Sequence, residues 1–269
     1  GSGSGSSGGE SSSQTINPPD TDKTSEVQEI IINPEQLIAG TSSIIGDRGT
    51  ENFGIAVFKD DKMVALKLYN KLKTLNIMNL DNKYTNLGLL LADECPYSIK
   101  CAIFNGNSKL EFRDRKEFTG SILKQVNDAF EYLNLFNKTK GEFVGLERKD
   151  VKDYPEYAIR EALLNAVIHR DYNFTGSILI SLFEEHLEIT SLGGLVKGLN
   201  LEDLYNGVSE SRNPNLANIF YRLKYVESFG TGIERIIESY KEYEKKPLFF
   251  NTENVFKVIL YNVNYEDKK

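Results

Sequence analysis

The stretch Tyr154 to Tyr172, YPEYAIREALLNAVIHRDY, constrains this chain more than any other. Its alanine, leucine, isoleucine and valine residues leave a helix here almost no solvent face. Yet Glu161, Asn165 and His169 recur every four residues. Residues four apart stack along one side of a helix, so these three form a single polar line on an otherwise buried rod. A buried polar group without a partner costs roughly 1–3 kcal/mol, so the line needs something to meet it. A carboxylate, an amide oxygen and an imidazole in a row suit a hydrated metal ion and the phosphates it carries. The plainer alternative is the wet side of an amphipathic helix. Composition argues against it, because wet faces favour Lys, Glu, Gln and Arg, whereas Asn and His are poorer helix formers.

Bulk properties narrow the partners. The 269 residues allow one large domain or two small ones, with ample material for a core. A net charge of −7 lacks the basic footprint of a domain that grips duplex DNA. Cys95 and Cys101 fit neither a zinc pattern nor a disulfide framework, which points to a reducing compartment. No apolar run approaches membrane-spanning length and no signal peptide is visible, so the expected location is cytoplasmic, without membrane contact. His169 and His186 are the only histidines, which excludes a multi-histidine metal centre.

Along the chain, residues 1–26 read as a Gly/Ser linker and polar leader without a core. Residues 27–62 hold a short strand near 29–37 and a hairpin near 49–62. Residues 63–140 form an N-terminal α/β part: a helix over 63–75, strands over Thr85 to Leu91 and Ile99 to Phe104, another through KLEFRDRKEF, and a helix over Gly120 to Phe136. Residues 141–264 carry the central helix, paired strands over Gly176 to Phe183 and His186 to Thr190, helices over Asn213 to Leu223 and Gly232 to Tyr243, and closing strands at Phe249 to Phe250 and Val255 to Tyr261. Residues 265–269 are a tail. Strands and helices mix without strict alternation, which favours an α+β two-layer sandwich, a mixed sheet backed by helices.

Three glycine-bearing turns follow the central helix. Ser191-Leu192-Gly193-Gly194 allows positive φ and close approach of backbone N–H groups. The run GVSESRNP places Arg212 and Asn213 where they reach a phosphate or cap the next helix. Gly230-Thr231-Gly232 stands directly before a helix, an anion-binding geometry of free N–H groups and dipole, although taken singly it is as well read as a turn and cap. For Arg170 and Asp171 a structural pair at the helix end is the preferred reading, and for Tyr172 packing. Lys100, Arg113 and Arg115 read as solvated surface.

Taken together, YPEYAIREALLNAVIHRDY, EITSLGGL, SRNPNLANIFYRL and VESFGTGIERI resemble the RecG-C-terminal-like ATPase-like domain of bacterial AlbA/Schlafen-type transcriptional regulators. The resemblance runs from about Lys62 to Asn264. That family is similar in turn to the GHKL ATP-binding fold of gyrase, MutL and histidine kinases. The resemblance implies an ATP site with Mg²⁺ in which Asn165 ligates the metal, Glu161 orients or deprotonates the attacking water, and His169 touches metal-bound water or phosphate. It assigns Gly193 and Gly194 to a first glycine box and Gly230, Thr231 and Gly232 to a second that holds phosphates. Ser191 stands near the position where the wider fold carries an adenine-reading Asp. The implied function is a nucleotide-binding regulatory switch with slow or absent hydrolysis, a possible homodimer, and DNA contacted only through a domain absent from this fragment. The alternative is a non-enzymatic dimerisation or interaction module of the same fold.

Overall fold

A computed structural model of the chain describes Gly1, residues 70–226 and residues 232–266. The expected strand at 29–37, the hairpin at 49–62 and the first part of the 63–75 helix lie outside the described residues. Eight strands are described: β1 (Ile99–Phe104), β2 (Phe112–Phe118), β3 (Thr139–Val144), β4 (Glu147–Lys152), β5 (Ile178–Leu182), β6 (His186–Leu192), β7 (Leu248–Asn251) and β8 (Val255–Tyr261). The helices are α1 (Asn86–Leu91), α2 (Ile122–Phe136), α3 (Glu156–Ile168), α4 (Leu201–Tyr205), α5 (Pro214–Arg222) and α6 (Gly232–Ser239).

Side-chain alternation decides the layers. Ile99, Cys101 and Ile103 of β1 are buried while Lys100 is exposed, and Ile178, Ile180 and Leu182 of β5 are buried while Leu179 is half-exposed. Leu187, Ile189 and Ser191 of β6 fall on the same inward register. With a period of two, one face of such a sheet meets a core and the other meets water. Six strands join in the order β2-β1-β5-β6-β8-β7, and every neighbouring pair is antiparallel except β1 with β5. The sheet runs through both halves of the described chain, since β1, itself paired with β2, pairs with β5 from beyond residue 140. Helices α2 and α3 pack on the buried face, and α6 packs on α3. The result is an α+β two-layer arrangement, as the mixed pattern predicts.

The central helix is seated before it begins. Tyr154 precedes Pro155, which stands at the N-cap of α3 without a capping side chain. Asn137, buried just past α2, donates from Nδ2 to the Tyr154 carbonyl at 2.9 Å and accepts the Tyr154 N–H at 2.9 Å. The tyrosine hydroxyl donates to the Phe183 carbonyl at 3.2 Å, fixing the helix start to the end of β5. From there Ala158, Ile159, Ala162, Leu163 and Val167 are sealed in the core.

Three readings of the sequence need correction. Residues Thr85 to Leu91 form a helix, not a strand. The Thr85 hydroxyl accepts the Gly88 N–H as an N-cap, and the following NLGLLL has no β-branched residue to favour extension. The β3–β4 hairpin went unread because Glu147 to Asp150 are polar and exposed and show no apolar alternation. Helix α4 also went unread, although Asn200 and Asp203 form a reciprocal capping box around its start.

Replacing Asn137 by Ala strands a buried N–H and a buried carbonyl at the head of α3. Urea unfolding should show a loss of about 1–3 kcal/mol with an unchanged m-value.

Candidate functional site

A cavity of about 780 Å³ runs beside α3, and Glu161, Asn165 and His169 all line it. That volume falls within the roughly 300–1,000 Å³ usual for small-molecule sites. At 1.5 Å rise per residue the three side chains span about 12 Å. Glu161 is buried, whereas Asn165 and His169 are half-buried.

At the Glu161 end, the Arg160 guanidinium donates to Glu161 Oε1 at 2.6 Å and also to the Tyr225 carbonyl. Arg235, on α6, reaches the Tyr157 hydroxyl at 2.8 Å and also lines the cavity. This end therefore holds one carboxylate and two guanidinium groups. In the middle, Asn165 lies against the first residue of α6. A Cβ on Gly232 would sit 2.7 Å from Asn165 Nδ2, so a larger residue here would push the amide side chain aside. The approach brings the N-terminus of α6, where backbone N–H groups and the dipole favour negative charge, beside the Asn165 side-chain amide.

The His169 end is built from loops. Ser191 points inward by the alternation of β6, and its hydroxyl donates to the Ala166 carbonyl of α3 at 2.6 Å. Gly193 has φ +92°, and a Cβ there would come within 2.6 Å of Asp171 Cβ, so the turn demands glycine. Its N–H donates to the Asn254 carbonyl at 2.7 Å, and the Gly194 N–H donates to the Glu253 carbonyl at 3.1 Å. The first glycine turn is thus tied to the β7–β8 turn through its amides. Arg212 donates to Asp171 Oδ2 at 3.1 Å and to the Gly194 carbonyl at 2.8 Å. Asn213 turns away from the cavity and donates to the Ile168 and Arg170 carbonyls at 2.8 and 2.7 Å, closing the C-terminus of α3. Gly230 and Thr231 lie outside the described residues.

Burial pushes the His169 imidazole below its ordinary 6.5. A hydrogen bond to the Glu210 backbone carbonyl opposes this, and the Arg212 charge adds to it. His169 is therefore neutral near pH 7.

Arg170 does not form the structural pair with Asp171 expected at the helix end. It is 1% exposed, with its guanidinium 4.5 Å from the Tyr97 ring centre and 4.8 Å from that of Tyr172. It donates to the Phe174 carbonyl at 2.8 Å and to the Gly176 carbonyl, so it shapes the turn into β5. Asp171 takes Arg212 as its partner, and Tyr172 packs edge-on against Tyr97. Lys100, Arg113 and Arg115 are exposed, as their sequence context suggests.

Sequence reasoning missed Arg235 in the cavity lining, Arg160 behind Glu161, and the apolar wall of Leu195, Val196, Leu199, Leu204 and Phe256. Arg235 had a signal, since it follows Gly232 by three residues and so lies one turn into the same helix. The wall had none, because isolated leucines and valines in loops look like any other core residues. Among the described residues no three His, Cys, Asp or Glu side chains gather as a metal cluster. None of the described helices is long and apolar enough to cross a membrane.

Comparisons with known proteins bear on this cavity. Residues 176–260 match the family described as "Putative ATP-dependent DNA helicase recG C-terminal". The match includes Ser191, Gly193, Gly194, Arg212 and Gly232, and stops short of α3. The crystal structure of the DIP2311 protein from Corynebacterium diphtheriae is similar, at 25% identity and a TM-score of 0.62 over 72% of this chain. The match takes in 41% of that protein's chain, so a larger molecule carries the shared fold. No curated protein matches the sequence.

A pH prediction follows from His169. Its folded value lies below the unfolded one, so the stability linked to the neutral ring is complete above pH 6.5 and fades as pH falls through that value towards the folded one. His169→Gln should flatten this part of the acid limb. Urea unfolding of both proteins between pH 7.5 and 5 should show the stability gap between wild type and variant moving against the wild type as pH drops.

Proposed function

We propose that the cavity beside α3 binds a nucleoside triphosphate with Mg²⁺ and acts as the regulatory switch of a bacterial transcriptional regulator. The observation that carries this reading is the contact of Asn165 with Gly232. It sets a side-chain amide, nitrogen nearest and oxygen just behind, beside a helix N-terminus, inside a cavity of nucleotide size. The family match over 176–260 supports the same ligand class.

In this reading the N-terminus of α6, with Gly230 and Thr231 just before it, holds phosphate oxygens through backbone amides. Mg²⁺ binds chiefly to those phosphates and to water, with Asn165 as its protein ligand. A three-carboxylate cage is unnecessary, because Mg²⁺ usually retains several waters and needs few protein groups. When bound, the ion neutralises charge on the phosphates. Arg235 and Arg160 add positive potential at the Glu161 end, and His169 lies one turn beyond Asn165.

Glu161 is the candidate to orient or deprotonate water. Arg160 already occupies one of its carboxylate oxygens, which favours slow or absent hydrolysis. A switch needs only differential binding between two states, so turnover is dispensable. The same observation favours, as a second reading, a degenerate, non-enzymatic dimerisation or interaction module of the same fold. Homodimerisation, and DNA contact through a further domain, belong to this proposal as well. The 41% share of the longer relative leaves room for such a domain.

Mg·ATP at about 100 times its Kd should stabilise the protein by about 2.7 kcal/mol, read as a raised thermal midpoint. Asn165→Ala should remove that gain while the free variant unfolds like wild type. Absence of a shift with every nucleotide tried at millimolar concentration would end the proposal.

A further inference from the structure

We infer that Arg235 reads the terminal phosphate of the bound nucleotide, so that the cavity tells a triphosphate from a diphosphate. The inference rests on the nucleotide reading above and deepens it by naming the state to which the switch responds.

The polar line on α3 has a fourth member. Tyr157, Glu161, Asn165 and His169 stand four residues apart in turn, so the tyrosine continues the same edge towards the helix start. Asn165 meets Gly232, the first residue of α6. Three residues on, Arg235 lines the cavity and donates from Nη1 to the Tyr157 hydroxyl at 2.8 Å. Helix α6 thus touches the line at two points, Asn165 and Tyr157, which lie about 12 Å apart along α3. Glu161 stands between them. Inner phosphates at the Asn165–Gly232 contact, with the base towards His169, send the outer end of a polyphosphate past Glu161 towards Arg235.

Charge decides which group can receive that end. The Glu161 carboxylate repels it, and the Arg160 guanidinium, which donates to Glu161 at 2.6 Å, offsets part of that repulsion. Tyr157 and Asn165 are neutral. Arg212 also lines the cavity, but it sits at the His169 end and donates to Asp171 and to the Gly194 carbonyl. Among the described residues, Arg235 is therefore the lining cation on the Glu161 side. A guanidinium presents five N–H donors in a planar fork that matches phosphate oxygens two at a time, so it can keep Tyr157 while it takes a phosphate.

Tyr157 is the positioning residue. Its ring centre lies 5.9 Å from the Arg235 guanidinium and 5.8 Å from that of Arg160. Ring and hydroxyl together hold a long, flexible side chain in one orientation before the ligand arrives, which lowers the entropy lost on binding. A diphosphate ends one phosphoryl group short and leaves the contact with Arg235 unmade.

The test is calorimetric titration of the whole chain, in Mg²⁺, with ADP and with the uncleavable β,γ-imido analogue of ATP. Wild type should bind the analogue more tightly than ADP by about tenfold or more. Arg235→Gln should weaken the analogue by roughly 10–100-fold, the range of a lost hydrogen bond to a charged group, and keep the Kd for ADP within about threefold. Retained ADP binding shows that the variant's cavity is folded. Tyr157→Phe, at an exposed position, keeps the ring and loses the hydroxyl; it should narrow the preference in the same direction and by less. Equal Kd values for the two nucleotides in wild type would overturn the inference and leave the nucleotide site standing. So would an Arg235→Gln protein that weakens towards both nucleotides equally, or towards neither. No binding of either nucleotide to wild type would remove the nucleotide reading itself, and this inference with it.

Discussion

Everything about the site follows from how completely α3 is enclosed. The sheet, α2 and α6 cover nearly all of its surface, and an enclosed helix can carry polar side chains only where the enclosure opens. It opens along one edge, and Glu161, Asn165 and His169 stand there. Burial and cavity are therefore one fact: the packing that seals Ala158, Ala162 and Val167 forces a channel where the three polar groups emerge. A mutation that widened the channel would cost core contacts, and one that closed it would bury unpaired polar atoms.

The loops beyond α3 are held by an unusual share of side-chain to backbone bonds. Asn213 closes the end of α3, Arg212 bridges Asp171 and the Gly194 carbonyl, and Asn251 Oδ1 accepts the Leu195 N–H at 2.8 Å. Arg170 holds the next turn between two tyrosine rings. Segments without regular secondary structure must satisfy their backbone groups somehow, and these side chains do it. The consequence is a floor and rim in which several polar groups are turned to the protein, while Ser209, Glu210 and Asn218 remain in the cavity lining. The charged end, by contrast, gathers Glu161, Arg160 and Arg235 around the start of α6. The far end is mixed, with Glu210 and Arg212 beside Leu195, Val196, Leu199 and Phe256.

Much of the fold was legible because burial writes periodicity into sequence. Strands β1, β5, β6 and β8 and helices α2, α3 and α5 each repeat apolar residues at the spacing their geometry requires. Where that pressure was absent, legibility failed. The β3–β4 hairpin shows no apolar alternation over Glu147 to Asp150, α1 is a short apolar run that length alone could not assign, and α4 is five residues held by its cap. At the site, the same logic separates Glu161, Asn165 and His169 from the rest. Their incongruity within a greasy helix made them visible. Leu199 and Phe256 are apolar residues in a chain full of them, and nothing local tells a cavity wall from a core.

The sequence by itself determined the two-layer class, the identity of the central helix and the polar line upon it, because helical and strand periods are local properties of consecutive residues. Only tertiary structure decided which partner each polar group takes: that Asn213 serves the end of α3 and not a ligand, that Ser191 spends its proton on Ala166, and that Arg170 is buried between rings. Those outcomes depend on residues tens of positions apart meeting at hydrogen-bond distance, and no spacing along the chain encodes such a meeting.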